Sequence, residues 1–246
     1  MRSLQVLLLS LPVATAGYRP DYAYTFYKLA SAAYCNVEGW KCAPCIASNQ
    51  SLQSNLVLYN QTTDTRTFIA SYKDHFTGND SIVVSFRGTE TLINWIENLK
   101  FAKTDREMSC PGCKVHSGFL DSWTPVEARV VQEVRRLQGI YPDARLYITG
   151  HSLGGALAML AAYVLEYDHG IPIEGVYTFG APRVGNQAFA DFYNRRSATH
   201  VTWRLTHYRD PVPHLPLALM GFVHAGARPV QQHVCELTCP DLAHCC

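Results

Sequence analysis

The sequence predicts one α/β domain with a mostly parallel central sheet. β-Branched, strand-like runs alternate with helical stretches of about ten residues or more, the pattern of parallel strands joined by crossover helices. The 246 residues, 48% of them hydrophobic, suffice for one substantial core. No internal repeat, low-complexity tract or linker divides them.

The chain opens with Met1-Arg2, an apolar run from Leu4 to Leu11, then Val13-Ala14-Thr15-Ala16 before Gly17. One basic residue, a short apolar segment and an Ala-x-Ala type of ending predict a secretory signal peptide over 1–16, with the domain at 17–246. The apolar run is too short to span a bilayer. Asp21 to Tyr34 reads as an amphipathic helix, and Asn55–Tyr59 and Thr67–Tyr72 as short strands. Ser81–Phe86 has the length and β-branched character of a buried strand. Thr91–Lys100 reads as a short helix carrying Leu92, Ile93, Trp95, Ile96 and Leu99. From Val126, the residues Val130, Val131, Val134 and Leu137 recur at helical spacing until Tyr141-Pro142 closes the helix. Leu146–Thr149 is a strand and Ser152–Tyr167 a long helix rich in Ala and Leu. Gly175–Phe179 is a strand, Asn186–Asn194 a helix, His200–Thr206 a strand, and Pro229–Cys235 the remaining strand candidate.

Charge and cysteine content narrow the class. Lys and Arg number 21 against 20 Asp and Glu, a formal charge of +1, so there is no electrostatic footprint for nucleic acid or an anionic membrane. The chain has nine cysteines, which an exported protein would use for disulfides. Cys42-Ala43-Pro44-Cys45 and Cys110-Pro111-Gly112-Cys113 would suggest a zinc site in a reducing compartment; in an oxidising one each reads as a local disulfide pinching a turn. Cys235 is expected to close a C-terminal loop with Cys239, Cys245 or Cys246. Sequons at Asn49, Asn60 and Asn79 fit exposed loops of a secreted chain.

The chemistry-bearing motif is Gly150-His151-Ser152-Leu153-Gly154-Gly155, between the strand Leu146–Thr149 and the helix that follows. G-x-S-x-G in a strand–turn–helix context forces the serine into an exposed, strained turn at the carboxyl end of a sheet, making Ser152 a candidate nucleophile. The bland reading is a helix cap, since serine is a good N-cap. A serine nucleophile needs donors for the developing oxyanion. The N–H of Leu153 is one, and Arg87-Gly88-Thr89, directly after the strand Ser81–Phe86, places Thr89 to supply another. Asp210, four residues beyond the strand His200–Thr206, stands where the triad acid follows the nucleophile in this kind of fold. It also reads as an Asx-turn before Pro211.

These segments, with Asn94-Trp95-Ile96, Val115–Phe119, Phe179–Gly185 and Arg209–Pro216, resemble in order the fungal class 3 lipases, secreted α/β-hydrolases that include triacylglycerol lipases and feruloyl esterases. The resemblance runs from about Tyr18 to Ala225. It implies a single α/β-hydrolase domain with a short helical lid, Ser152 as nucleophile, Thr89 and Leu153 as oxyanion hole, and Asp210 as triad acid. It also implies a lid containing Ile93, Trp95 and Ile96, a lipid ester substrate at an oil–water interface, and no metal or cofactor. The alternatives are a phenolic-ester (feruloyl) esterase, or a catalytically impaired member that binds lipid or cell wall.

The histidine base stays open. His214, His224, His233 and His244 follow Asp210. His214 is too close to Asp210, His224 matches a family segment that is not catalytic, and His233 falls within the last strand candidate. His244 suits the chain order and is the candidate base. In the family the catalytic histidine lies further along, and the cysteine matching Cys35 is tied to one at the extreme C-terminus. The resemblance therefore carries the expectation that this chain stops short of both.

Overall fold

The computed structural model describes residues 17–89, 102–105, 108–196, 201–207, 209–226 and 228–231. Helix α1 (Pro20–Ala32) and the short α2 (Ala43–Ala47) precede three strands, β1 (Ser51–Asn60), β2 (Thr65–Lys73) and β3 (Asp80–Phe86). A two-stranded ribbon, β4 (Lys103–Thr104) with β5 (Val115–His116), leads into α3 (Ser117–Ile140). Then come β6 (Arg145–His151), α4 (Leu153–Tyr163), β7 (Gly175–Phe179), α5 (Gln187–Arg196), β8 (Val201–Thr206) and β9 (Arg228–Gln231). The main sheet has seven strands in the order β1-β2-β3-β6-β7-β8-β9. β1, β2 and β3 pair antiparallel, and every pairing from β3 to β9 is parallel.

Side-chain alternation explains why both faces are covered. On β6, Leu146 and Ile148 join the core beneath α3 and α4, while Tyr147 points into a second core under α1. β3 and β7 divide in the same way: Ile82, Val84, Phe86 and Val176 on one face, Val83, Tyr177 and Phe179 on the other. This period of two with apolar residues on both faces is what a buried parallel strand requires. Phe26 of α1 stacks on Tyr177, with centroids 4.4 Å apart and planes at 15°. Two hydroxyls buried in the sheet are satisfied by carbonyls: Ser85 Oγ donates to Leu29 O at 2.9 Å and Thr149 Oγ1 to Tyr177 O at 2.8 Å.

Helix α4 is buried over every residue from Gly154 to Tyr163, which accounts for its Ala- and Leu-rich, faceless sequence. It ends earlier than the sequence suggests, passing at Val164–Asp168 into a π-helical turn. Helix α3 differs more. The sequence places its start at Val126, yet it begins at Ser117 and carries Pro125 inside. Phe119, Leu120 and Trp123 are buried on the same side as Val126 and Val130, so the apolar stripe extends the helix through a residue that normally ends one. The helix expected over 91–100 and the C-terminal part of the strand expected over 229–235 lie outside the described residues. Disulfides join Cys42 to Cys45 and Cys110 to Cys113, and Cys235 lies outside the described residues. Among the described residues, no helix is long and apolar enough to cross a membrane.

Burial sets a stability test. Leu160 is fully buried in α4, whereas Leu219 is 98% exposed. Leu160→Ala should cost about 2–5 kcal/mol and Leu219→Ala less than about 0.5 kcal/mol, read from urea unfolding midpoints.

Candidate active site

Strand β6 delivers the chain to His151, and α4 starts two residues later at Leu153. Ser152 sits between them with φ 55° and ψ −125°. This left-handed conformation costs a side-chain-bearing residue of order 1–3 kcal/mol and persists only where the surroundings enforce it. They do so by close packing. A Cβ on Gly150 would clash with Gly154 O, and one on Gly154 would clash with Phe86 O. Only glycine lets α4 fold back this sharply on β6 while its first turn lies against the end of β3. The Ser152 N–H donates to Phe179 O at the end of β7 (2.9 Å), pinning the turn to the next strand.

The first N–H of α4 to join a backbone hydrogen bond to the turn is that of Gly155, donated to Ser152 O at 2.9 Å. The Leu153 N–H precedes it, where helix donors lack intrahelical partners and the helix dipole is positive. The strain matches the expectation but the exposure does not: Ser152 is only 2% exposed, covered by the loop after β3, and its Oγ has no hydrogen-bond partner among the described residues.

Beyond β3 the loop Arg87-Gly88-Thr89 runs directly over this turn. A Cβ on Gly88 would lie 2.6 Å from His151 O and 3.3 Å from Ser152 Cβ, so Thr89 follows a residue already touching the elbow. Arg87, with its side chain 8% exposed, anchors the loop. Its N–H donates to Arg66 O (2.9 Å), and its guanidinium donates to Asp64 O (2.9 Å) and the Asp64 carboxylate (2.6 Å). The parallel pairing that ends Ser85↔Thr149, Phe86↔Gly150 fixes the register between loop and elbow.

Asp210 follows β8 in the same edge of the sheet. A Cβ on Gly180, the residue after β7, would come within 2.5 Å of Asp210 Oδ2 and 3.9 Å of the His151 ring. Asp210 Oδ1 accepts the Val212 N–H (2.9 Å), the Asx-turn that the Asp-Pro sequence allows. Burial pushes its carboxyl pKa above the usual range, opposed by the Val212 N–H and by His207 and His214 nearby. The fold thus gathers Ser152, Leu153, Thr89 and Asp210 at the carboxyl ends of β3, β6, β7 and β8, where open α/β sheets form their sites. His233, His244, Ile93, Trp95 and Ile96 lie outside the described residues. His224 fastens the Asp210 loop instead: its Nε2 bonds to Pro213 O (2.8 Å), and burial lowers its pKa to about 3, keeping it neutral.

The sequence marks neither Tyr34 nor the ring of His151 as part of the site. Tyr34 lies just past α1 and reaches His151 Nδ1, 117 positions along the chain (2.9 Å), and the Gly88 N–H, 54 positions along (3.1 Å). No local pattern signals so long-range a contact. The sulfurs of Cys35, Cys42 and Cys45 lie within 4.8 Å of one another. Two of them are spent in a disulfide and burial raises the Cys35 thiol pKa, so the thiolates a soft metal would need are not presented.

Sheet order, elbow and acid position define an α/β-hydrolase. Residues 83–220 match the family model for lipase (class 3), and the chain belongs to that family. It is 37% identical over 208 residues to a secreted mono- and diacylglycerol lipase 1 of Fusarium solani, a match covering 82% of this chain and 61% of that protein. The chain spans roughly two fifths to three fifths of the length of the curated relatives it matches. Among solved structures, the lipase from Rhizopus microsporus var. chinensis superposes with a TM-score of 0.74 at 32% identity, covering 86% of this chain and 74% of that one. A triacylglycerol lipase whose catalytic centre is described as a serine protease triad superposes at 0.73 and 34%, covering 86% and 78%.

The raised pKa of Asp210 has a consequence for stability. Folding disfavours its charged form, so the ionised carboxylate weakens the fold at pH 7. Asp210→Asn keeps an oxygen for the Val212 N–H and removes that charge. Thermal unfolding should show Asp210→Asn at least as stable as wild type at pH 7. The gap should narrow as pH falls through the raised pKa and close below the unfolded value of 3.8.

Proposed function

We propose that this chain is a secreted serine carboxylic-ester hydrolase acting on acylglycerol-type lipid esters. The observation that carries the proposal is the strained Ser152 at the β6–α4 elbow, with an unpartnered buried hydroxyl among the described residues beside the Gly88–Thr89 loop. In this reading Ser152 Oγ attacks the ester carbonyl carbon while a histidine takes its proton. The tetrahedral oxyanion is received by the Leu153 N–H and by Thr89, through its N–H or hydroxyl. Collapse expels the alcohol, protonated by the same histidine, and leaves an acyl-Ser152 ester. Water, deprotonated by the histidine, then releases the fatty acid. Asp210 holds the imidazole in one orientation and stabilises its cationic form. His244 is the candidate base, and the segment carrying Ile93, Trp95 and Ile96 the candidate lid.

Two features support a lipid over a phenolic ester. The relatives' names specify mono-, di- and triacylglycerol lipases. Next to the Asp210 loop, Leu217, Leu219 and Met220 are exposed by 47%, 98% and 41%, an apolar run suited to an oil surface. Secretion rests on the signal-like residues 1–16 and on the relatives named as secreted.

Ser152→Ala should lower hydrolysis of p-nitrophenyl esters and emulsified triglyceride at least about a thousandfold, with the fold intact. Equal rates for the two proteins would refute the hydrolase reading, and activity on methyl ferulate without triglyceride hydrolysis would replace the lipid substrate. Leu219→Glu should cut the triglyceride rate roughly tenfold or more, the worth of losing one leucine from an apolar phase, while leaving a soluble short-chain ester unaffected. Rates on emulsion and on soluble ester, measured in parallel, check this.

A further inference from the structure

We infer that Tyr34 is a positioning residue of the hydrolytic site, its hydroxyl tying the oxyanion loop to the nucleophile elbow. The inference rests on the Ser152 reading and extends it to a residue in another part of the chain. Each oxyanion donor of that reading sits on a separate arm: Thr89 on the loop after β3, Leu153 on the turn after β6. Sheet pairing ends at Phe86↔Gly150, so beyond it the separation of the arms needs another constraint.

Tyr34 supplies one. Its phenolic oxygen accepts the Gly88 N–H at 3.1 Å and shares a hydrogen bond with His151 Nδ1 at 2.9 Å. Gly88 directly precedes Thr89, and His151 directly precedes Ser152. One atom therefore fixes the residue before each functional residue. The Tyr34 ring also lies 6.0 Å from the His151 ring, centroid to centroid. A Cβ on Gly88 would clash with that hydroxyl, so the loop residue must be glycine for the bridge to form. Burial holds the His151 pKa down to about 4, so the ring is neutral at pH 7 and the bridge carries no net charge into the site. Short side chains in place of Tyr34 would leave the Gly88 N–H and the imidazole nitrogen without this partner, a loss that buried polar groups tolerate poorly.

The hydroxyl does not touch the reacting atoms. Its loss should loosen the oxyanion donors without removing any of them. The effect should fall below the 10²–10³-fold typical for deleting one donor.

The test is Tyr34→Phe, which keeps the ring and removes only the oxygen, made in the full chain. Active Ser152 is titrated with an organophosphonate so that rates are expressed per active site. The expected result is a kcat for a soluble p-nitrophenyl ester reduced about ten- to hundredfold per titrated site with KM unchanged. The ¹⁵N resonance of His151 Nδ1 should shift while other histidines stay in place. A kcat per titrated site equal to wild type, or an unmoved Nδ1 resonance, would overturn the inference, because a purely structural role would lower only the number of active sites. Should wild type and Ser152→Ala prove equally inactive, the hydrolase reading falls, and the Nδ1 resonance still decides whether the bridge exists.

Discussion

The site depends on how closely the first turn of α4 can approach the end of β3. Gly154 lies against the carbonyl of Phe86 with no room for a side chain, and Gly150 faces Gly154 in the same way. That contact forces Ser152 into the left-handed region, sets the Leu153 N–H at the rim of the sheet and leaves the Gly88–Thr89 loop passing directly over the turn. A methyl group at Gly150 or Gly154 would push the Ser152 turn and the Gly88–Thr89 loop apart. The buried, featureless α4 follows from the same constraint, because a helix pressed this tightly on a sheet and covered by α3 has no solvent face to mark.

The parallel half of the sheet then does the gathering. β3, β6, β7 and β8 all end at one edge, so residues far apart in the chain, Thr89, Ser152 and Asp210, arrive together. The antiparallel hairpin β1–β2 serves the site indirectly. Its turn residue Asp64 receives the Arg87 guanidinium, which braces the Arg87–Thr89 loop, and Tyr34 accepts the Gly88 N–H of the same loop. Asp210 is held in a half-buried place that raises its pKa. A half-buried carboxyl of this kind is carried there at the expense of folding stability.

Much of this is legible in the sequence because it is written in short-range patterns. The G-x-S-x-G elbow, the β-branched run Ser81–Phe86 and the strand Gly175–Phe179 each announce themselves within a few residues, and the structure places them as strands and turn with at most small changes of boundary. The start of α3 was not legible, since Pro125 is a strong local stop signal and only tertiary burial of Phe119, Leu120 and Trp123 overrides it. The short α2 that starts within the Cys42–Cys45 pinch and the two-residue strands of the β4–β5 ribbon are likewise too brief for periodicity to show. Tyr34 is the clearest case. A tyrosine at the end of an amphipathic helix looks like ordinary core packing, and its contacts emerge only when the chain folds His151, 117 positions away, back against it.

The most direct test of the central claim, that the β6–α4 elbow presents the nucleophile, is covalent labelling with a fluorophosphonate followed by peptide mass spectrometry. A nucleophile at this elbow gives a single adduct, on Ser152, that is lost in Ser152→Ala. An adduct on another serine, or none on wild-type protein that is folded by circular dichroism, would contradict it.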